Sequence, residues 1–359
     1  LLRVENKVRE GVAPDEREIT CLFNARGSEL EAVLDLADRL REEVVGTVVR
    51  YAVNRNINYT NICTFGCTFC AFSKGGTRNL AGRPYDLSMD EVSRRTAEAW
   101  ERGATEVCLQ GGIHPDYTGN TYLEILAAVK RAAPAIHVHA FSPLEVMHGA
   151  STLGLGVPAF LEQLRNAGLG SLPGTAAEIL DEEVRRQICP EKLTGQEWLE
   201  VMAAAHALGL RTTSTMMFGS VEGYASWSRH LLAIRSLQER TAGFTEFVPL
   251  PFVSNEAPMY RKGRARRGPT FRETLLVHAV ARIALHGQIP NIQVSWVKMG
   301  RAGVEACLSA GANDLGGTLM NESISRAAGT QHGQEFPPEE MERLIHSIGR
   351  VPSLRGTTY

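Results

Sequence analysis

Apolar residues recur along this chain in two periods. From Leu30 to Leu40 they fall three and four apart, at Leu30, Val33, Leu34, Leu36, Ala37 and Leu40. That spacing places them on one helix face, with Ser28 as the expected cap. The first 48 residues therefore read as a helical preamble. Beyond them, short apolar runs alternate with longer amphipathic stretches. Strands are expected at Val53–Tyr59, Glu106–Gln110, Ile136–Phe141, Leu169–Leu172, Arg211–Met217, Phe244–Pro249, Ile292–Trp296 and Asn313–Leu315. Helices are expected at Met89–Arg102, Tyr122–Ala132, Pro158–Ala167, Gly195–Leu208, Tyr224–Glu239, Arg272–Leu285 and Gly303–Ala310. Gly103, Gly168 and Gly209 follow helices, as C-caps before tight turns into strands would.

Repeated strand–helix alternation implies a parallel sheet, and eight units suit a closed (β/α)8 barrel of the TIM type. An N-terminal helical extension and C-terminal helices complete the expectation. An open doubly wound sheet is the alternative. The expected division is 1–48 for the extension, 49–290 for the barrel core, and 291–359 for the last barrel units and C-terminal helices. In such barrels chemistry sits in the loops after the strand C-termini. Gln110-Gly111-Gly112, Ser142-Pro143, Phe218-Gly219 and Pro249–Phe252 would all lie there, as would the segment following Tyr59.

Composition narrows the partners. The 359 residues carry 38 Lys and Arg against 40 Asp and Glu, so bulk charge does not suit nucleic acid. No run of about eighteen apolar residues occurs, which leaves no expected membrane span. The N-terminus lacks an apolar signal core, so a cytoplasmic protein is expected. The chain begins Leu1-Leu2 without Met, as a part of a longer polypeptide or a processed chain would.

Cys21, Cys108, Cys189 and Cys307 are scattered singly and read as packing residues. Cys63, Cys67 and Cys70 instead form a C-x3-C-x2-C cluster directly after the first strand. Three thiolates on one short loop can hold three corners of a [4Fe–4S] cubane and leave one iron open. Structural zinc would want a fourth closed ligand, and no nearby C-x2-C or H-x3-H arrangement supplies it.

The spacing, with aromatic Phe69 just before the last cysteine, resembles the radical S-adenosylmethionine (SAM) superfamily. The resemblance implies a cluster whose open iron chelates SAM. One electron from it cleaves SAM to methionine and a 5′-deoxyadenosyl radical, which abstracts hydrogen from a substrate. Gly111-Gly112 resembles the glycine motif that meets the methionyl amino group, although Ile113-His114 stands where an acidic residue often follows. The segment from Met216 through Gly219 to Glu222 resembles the one packed against adenine. Glu178, in Gly174-Thr-Ala-Ala-Glu178, would meet the ribose or methionyl end. A plain strand–helix turn remains the alternative for the glycines, and a helix start carrying an N-terminal acid for both carboxylates.

Further segments narrow the resemblance to the radical SAM enzymes of deazaflavin and futalosine-pathway menaquinone biosynthesis. They are His139-Ala-Phe-Ser-Pro143, Gly174 to Leu180, Phe247-Val-Pro-Leu-Pro-Phe252 and Gly311-Ala-Asn-Asp-Leu-Gly-Gly317. Within that group, Gly263 to Thr270, Ser295-Trp-Val-Lys298, Glu322 to Gly329, Ile188 to Leu193 and Arg355-Gly-Thr-Thr-Tyr359 resemble the tyrosine-using half of FO synthase. The implied reaction joins the 4-hydroxybenzyl fragment of L-tyrosine to 5-amino-6-(D-ribitylamino)uracil, releasing 2-iminoacetate. Its implied partners are an external electron donor and a fused or separate second radical SAM half that completes FO, the precursor of coenzyme F420. A futalosine-pathway enzyme and an iron–sulfur electron carrier are the rival readings.

Strand parity supplies substrate candidates, since alternate residues point into a barrel. His137 and His139 share one face of the third strand, with His139 nearer the catalytic rim; Asn54, Asn56 and Asn58 share one face of the first. His139 and Asn58 are the catalytic candidates. His114, His137, Asn56, Gln293 and Ser295 are candidates for holding the uracil and ribityl groups. The alternative for each is a satisfied core residue. The run Arg261-Lys-Gly-Arg-Ala-Arg-Arg267 reads as a solvated loop, with a carboxylate site as the rival.

Overall fold

The computed structural model describes residues 1–74 and 83–359. Strands β1 (Val48–Ala52) and β2 (Asn54–Asn58) form one extended run interrupted at Val53. After them come β3 (Glu106–Gln110), β4 (His137–Ala140), β5 (Ser171–Leu172), β6 (Arg211–Phe218), β7 (Phe244–Pro251), β8 (Asp314–Gly317) and β9 (Val351–Leu354). Strands β2 to β7 pair in chain order as a six-stranded parallel sheet. Parallel bridges from Phe247 to Ile292 and from Gln293 to Asp314 carry the order on to β8. β8 pairs in parallel with β1, which runs directly into β2, so the ring closes as a (β/α)8 barrel.

Parity gives the ring two unlike faces. Val107, Leu109, Val138 and Ala140 are fully buried with Val92, Ile125 and Val129 of the surrounding helices. Arg55 points the same way and pairs with Glu98 at 2.8 Å. The alternate residues Asn54, Asn56, Glu106, Cys108, Gln110 and His139 face inward and line a cavity. Buried polar groups need partners, and Asn54 finds them in Glu106, at 3.0 Å, and the Leu319 amide, at 2.9 Å.

Several expected elements shift. The strand at Ile292–Trp296 is reduced to two bridges, because Trp296–Leu308 is already helical with Ser295 at its N-cap. That helix kinks at Gly300, whose φ of 63° breaks the helical path. Helix Pro143–Thr152 lies where no element was expected beyond the rim residues Ser142-Pro143; its Ser142 cap and Glu145 form a reciprocal capping box. Gly27, not Ser28, occupies the cap of helix Ser28–Val45. Gly103, Gly168 and Gly209 do adopt the left-handed conformation after their helices. Helices Leu2–Arg9, Glu16–Phe23 and Ser28–Val45 make the N-terminal extension. It docks on the barrel flank, where Phe23 meets Trp227 edge-on at 5.2 Å and Arg272 bonds the carbonyls of Phe23 and Ala25. Helix Pro338–Ser347 leads to β9, which pairs with β1 on the side away from β8. Among the described residues no helix is long and apolar enough to cross a membrane.

Candidate active site

The loop after β2 carries the three cysteines and is held by backbone bonds from three separate segments. Thr64 N–H donates to Ile113 O at 2.9 Å, and Thr68 N–H donates to Ile188 O at 2.8 Å. Met259 N–H donates to Thr68 O at 2.8 Å, and Glu191 accepts from Gly66 N–H at 2.6 Å. Cys63, Cys67 and Cys70 thereby share the wall of a cavity of about 260 Å³ with Phe69, Gly111, Gly112 and Glu178.

The two glycines act on the loop itself. A Cβ at Gly111 would enter the Tyr59 ring, and one at Gly112 would strike Ile62 O and lie 2.8 Å from the Cys63 Cβ. Their bare backbone lets the cysteine loop close down on β3. Glu145 locks the arrangement, accepting from the Gly111 amide at 3.2 Å, from Tyr59 Oη, and from the Ser142 amide and hydroxyl. Across the cavity, Glu178 sits in the left-handed region with φ 47° and pairs with Lys192 at 2.7 Å. The Lys192 ammonium also lies 5.3 Å from the Phe69 ring centre.

Gly219 and Glu222 do not line this wall. The Glu222 carboxylate is occupied by the amides of Gly219, Ser220 and Val221, the Ser220 hydroxyl and Trp227 Nε1. It braces the turn into helix Tyr224–Thr241, which is the helix-start alternative. From that segment Thr215 and Met217 face the cavity instead.

A second cavity of about 250 Å³ lies inside the barrel. It shares Gln110, Thr175, Thr215, Leu250, Lys298, Ile324 and Ser325 with the first, so the two adjoin along one seam. His139, Asn56, Gln293 and Ser295 line it. His139 Nδ1 is 2.7 Å from Ser171 Oγ, and burial lowers its pKa to about 4, so the ring is neutral near pH 7. His137 also meets Ser171 Oγ at 2.7 Å, but its ring packs against Gly170 away from the cavity wall, as a core histidine. Asn58 is used structurally: it donates to Gln110 O at 3.3 Å and accepts from Ser323 Oγ at 3.1 Å. His114 packs tilted against Tyr117, ring centres 4.9 Å apart, accepts from the Asp116 amide, and does not line either cavity.

Residues 57–233 match the family described as the Radical SAM superfamily, and residues 241–359 match the CofH/MqnC C-terminal region. The chain is 49% identical, over 90% of each sequence, to the 5-amino-6-(D-ribitylamino)uracil–L-tyrosine 4-hydroxyphenyl transferase of Methanocaldococcus jannaschii. The chain belongs to this family of radical SAM proteins. It is also 50% identical over its whole length to the FO synthase of Nocardia farcinica, but spans only 41% of that protein. Among solved structures, methylornithine synthase (PylB) superposes with a TM-score of 0.76 over 98% of this chain and 97% of its own, at 20% identity. The maturase HydG superposes with a TM-score of 0.75 over 98% of this chain and 75% of its own, at 15% identity. Those two likenesses concern the fold.

Membership of the radical SAM superfamily implies a [4Fe–4S] cluster and SAM, and the cavity's donors fit them. Burial pushes the Cys67 thiol up to about 12, opposed by the Lys192 charge. Burial raises Cys70 as well, opposed by the Ser73 amide that donates to its sulfur at 3.4 Å. Thiols so placed become anionic readily only against a cationic partner such as iron. Among the described residues no three His, Cys, Asp or Glu side chains crowd tightly enough for one ion. A cubane spreads its thiolates over separate irons.

The floor of the inner cavity was given no site role from sequence, although Arg355 to Tyr359 and Asp314 fall within the motifs quoted above. Arg355 bonds Asp314 at 2.7 Å and Glu246 at 3.4 Å, while Tyr359 Oη donates to Glu246 at 2.7 Å. Thr357 donates to Glu106, which also accepts from Asn54. Extending strand parity to β3 would have exposed Glu106, and an acid within apolar β7 was a signal for Glu246. Lys298, on the walls of both cavities, was quoted within Ser295-Trp-Val-Lys298 but given no site role.

Proposed function

We propose that the chain joins the 4-hydroxybenzyl fragment of L-tyrosine to 5-amino-6-(D-ribitylamino)uracil, releasing 2-iminoacetate, methionine and 5′-deoxyadenosine, in the formation of FO and coenzyme F420. The observation that carries this reading is the pair of adjoining cavities, one walled by three thiols and the other by polar barrel residues. The identity to the M. jannaschii transferase along 90% of both chains supports the choice of substrates.

In this reading Cys63, Cys67 and Cys70 would hold the cluster, and Phe69, Gly111, Gly112 and Glu178 would line the place of SAM. Cluster and SAM, when bound, supply a carbon-centred radical able to abstract hydrogen. The chain's own residues do the rest. The seam between the cavities would set a substrate in the barrel beside the SAM site, and the barrel walls would limit its contact with water. Asn56, Gln293 and Ser295 offer the donors and acceptors that a uracil edge and ribityl hydroxyls require. His139, with Nδ1 engaged by Ser171, presents Nε2 as a neutral group able to accept or return the proton of the substrate amine. Asn58 ties β2 to the loops around the site.

We further propose that the chain works in the cytoplasm with an external electron donor and with a second radical SAM half, fused or separate. The greater length of the FO synthases it matches supports such a partner. We propose that the chain divides at 48/49 and 290/291, with the extension bracing the barrel from outside.

The test is an anaerobic assay of the reconstituted protein with SAM, dithionite, tyrosine and the diaminouracil, followed by mass spectrometry. Deoxyadenosine together with a hydroxybenzyl adduct is expected. Cys67→Ala should abolish cluster loading and SAM cleavage together, and retained cleavage refutes the ligand assignment. Deoxyadenosine without adduct from the wild type would instead point to another substrate, futalosine-type nucleosides first. Neither product from a reducible cluster would favour an electron carrier.

A further inference from the structure

Among the described residues three cations line the two adjoining cavities, and two of them are already neutralised. Arg355 is held by Asp314 and Glu246, and Lys192 by Glu178. Lys298 differs. Among the described residues its hydrogen-bond partner is the neutral Ser325 Oγ, at 3.2 Å. The nearby Glu322 carboxylate is spent on the amides of Ile324, Ser325 and Arg326.

Position adds to chemistry. Lys298 and Ser325 both lie on the seam shared by the thiol-walled and barrel cavities. A third cavity, of about 510 Å³ and lined partly by exposed Phe271 and Arg267, also reaches Lys298. The lysine is held in place by its neighbours: Trp296 Nε1 donates to Gly317 O at 2.9 Å, and Val297 is buried. A fixed ammonium beside a hydroxyl, with no ion pair among the described residues, is a receptor for a carboxylate.

We propose that Lys298, with Ser325, binds the α-carboxylate of the amino-acid substrate. The proposal rests on the tyrosine reading above and deepens it. Because amine and carboxylate share one carbon, anchoring the carboxylate on the seam keeps the amine there too. The aromatic ring then extends into the barrel cavity, towards the residues assigned to the uracil. Burial lowers the lysine's pKa while Glu322 and Glu178 oppose the shift, so a bound carboxylate would reinforce the charged form.

The experiment measures binding of L-tyrosine and of tyramine, which lacks the carboxylate, to cluster-loaded protein with SAM, by anaerobic calorimetry. Lys298→Gln should weaken tyrosine at least about tenfold, as expected for a lost charge-assisted bond, and leave tyramine and SAM unchanged. Lys298→Arg should recover part of the loss. Tyramine affinity serves as the control for folding of each variant. Equal loss of tyrosine and tyramine, or weakened SAM with tyrosine unchanged, overturns the assignment. So does an unchanged tyrosine affinity in Lys298→Gln while the wild type still forms the adduct, and that result leaves the transferase reading standing. A wild type that binds no tyrosine overturns both.

Discussion

Gly112 sits where any side chain would collide with the backbone of the cysteine loop, at Ile62 O. Backbone cannot step aside as a flexible side chain can, so the loop itself must move. Gly112→Ala should cost about 1–3 kcal/mol, the usual range for overpacking, and should displace Cys63. The expected outcome is reduced iron and sulfide per chain after reconstitution; full loading would show that the loop tolerates the shift. His139 makes a complementary case, because it lies apart from the cysteines. His139→Ala should spare cluster content and SAM binding while lowering adduct formation about a hundredfold, if Nε2 moves a proton during reaction. Unchanged turnover would return His139 to the role of a core residue. The three cysteines were legible as a group because they are neighbours in sequence. The roles of Glu145, Lys298 and Arg355 were not, because Tyr59, Ser325 and Asp314, which they meet, come from distant segments.

At the level of elements, the basic run before helix Phe271–Ala284 departs from its solvated reading at one residue. Arg266 bonds both oxygens of Glu273, at 2.8 and 3.0 Å, while Glu273 completes a capping box with Thr270. Although burial alone would raise it, Arg266 and the Thr270 groups hold Glu273 at a pKa of about 2. Glu273 is buried and Arg266 is partly exposed, so the carboxylate matters more than its cation. Glu273→Ala should destabilise by about 1–2 kcal/mol, the order of a lost cap, and Arg266→Ala by less. Urea midpoints of the two variants check the ranking, and the reverse order would contradict it. Arg264 remains exposed, as a solvated loop requires. The strands with clear alternation, such as Glu106–Gln110, were readable to the residue. Helix Pro143–Thr152 was not, because its apolar and small residues are buried without forming one stripe.

The whole molecule is a polar barrel enclosed by apolar helices, and burial holds several of its histidines neutral. The pKa values of His139, His206 and His278 fall to about 4, and that of His230 to about 3. Each takes up a proton on unfolding at mildly acid pH. The stability this provides is present above the ordinary histidine value of 6.5 and is lost as pH falls towards the folded value. Glu145 and Glu246, raised by burial, act in the opposite sense and blunt the total. His139 faces Glu106, His137 and Arg355, so its share is entangled with theirs. His278 is the clean case: fully buried in helix Phe271–Ala284, it meets the Thr274 carbonyl at 2.8 Å and is shifted by burial rather than by any charge. His278→Leu should therefore remove one proton from the uptake. Relative to wild type, the variant should gain about 1.5 kcal/mol between pH 6.5 and 5, at up to about 1.4 kcal/mol per pH unit. Paired urea titrations at those two pH values measure the gain. A constant gap between the proteins would mean that His278 is already protonated in the fold, contrary to its enclosure.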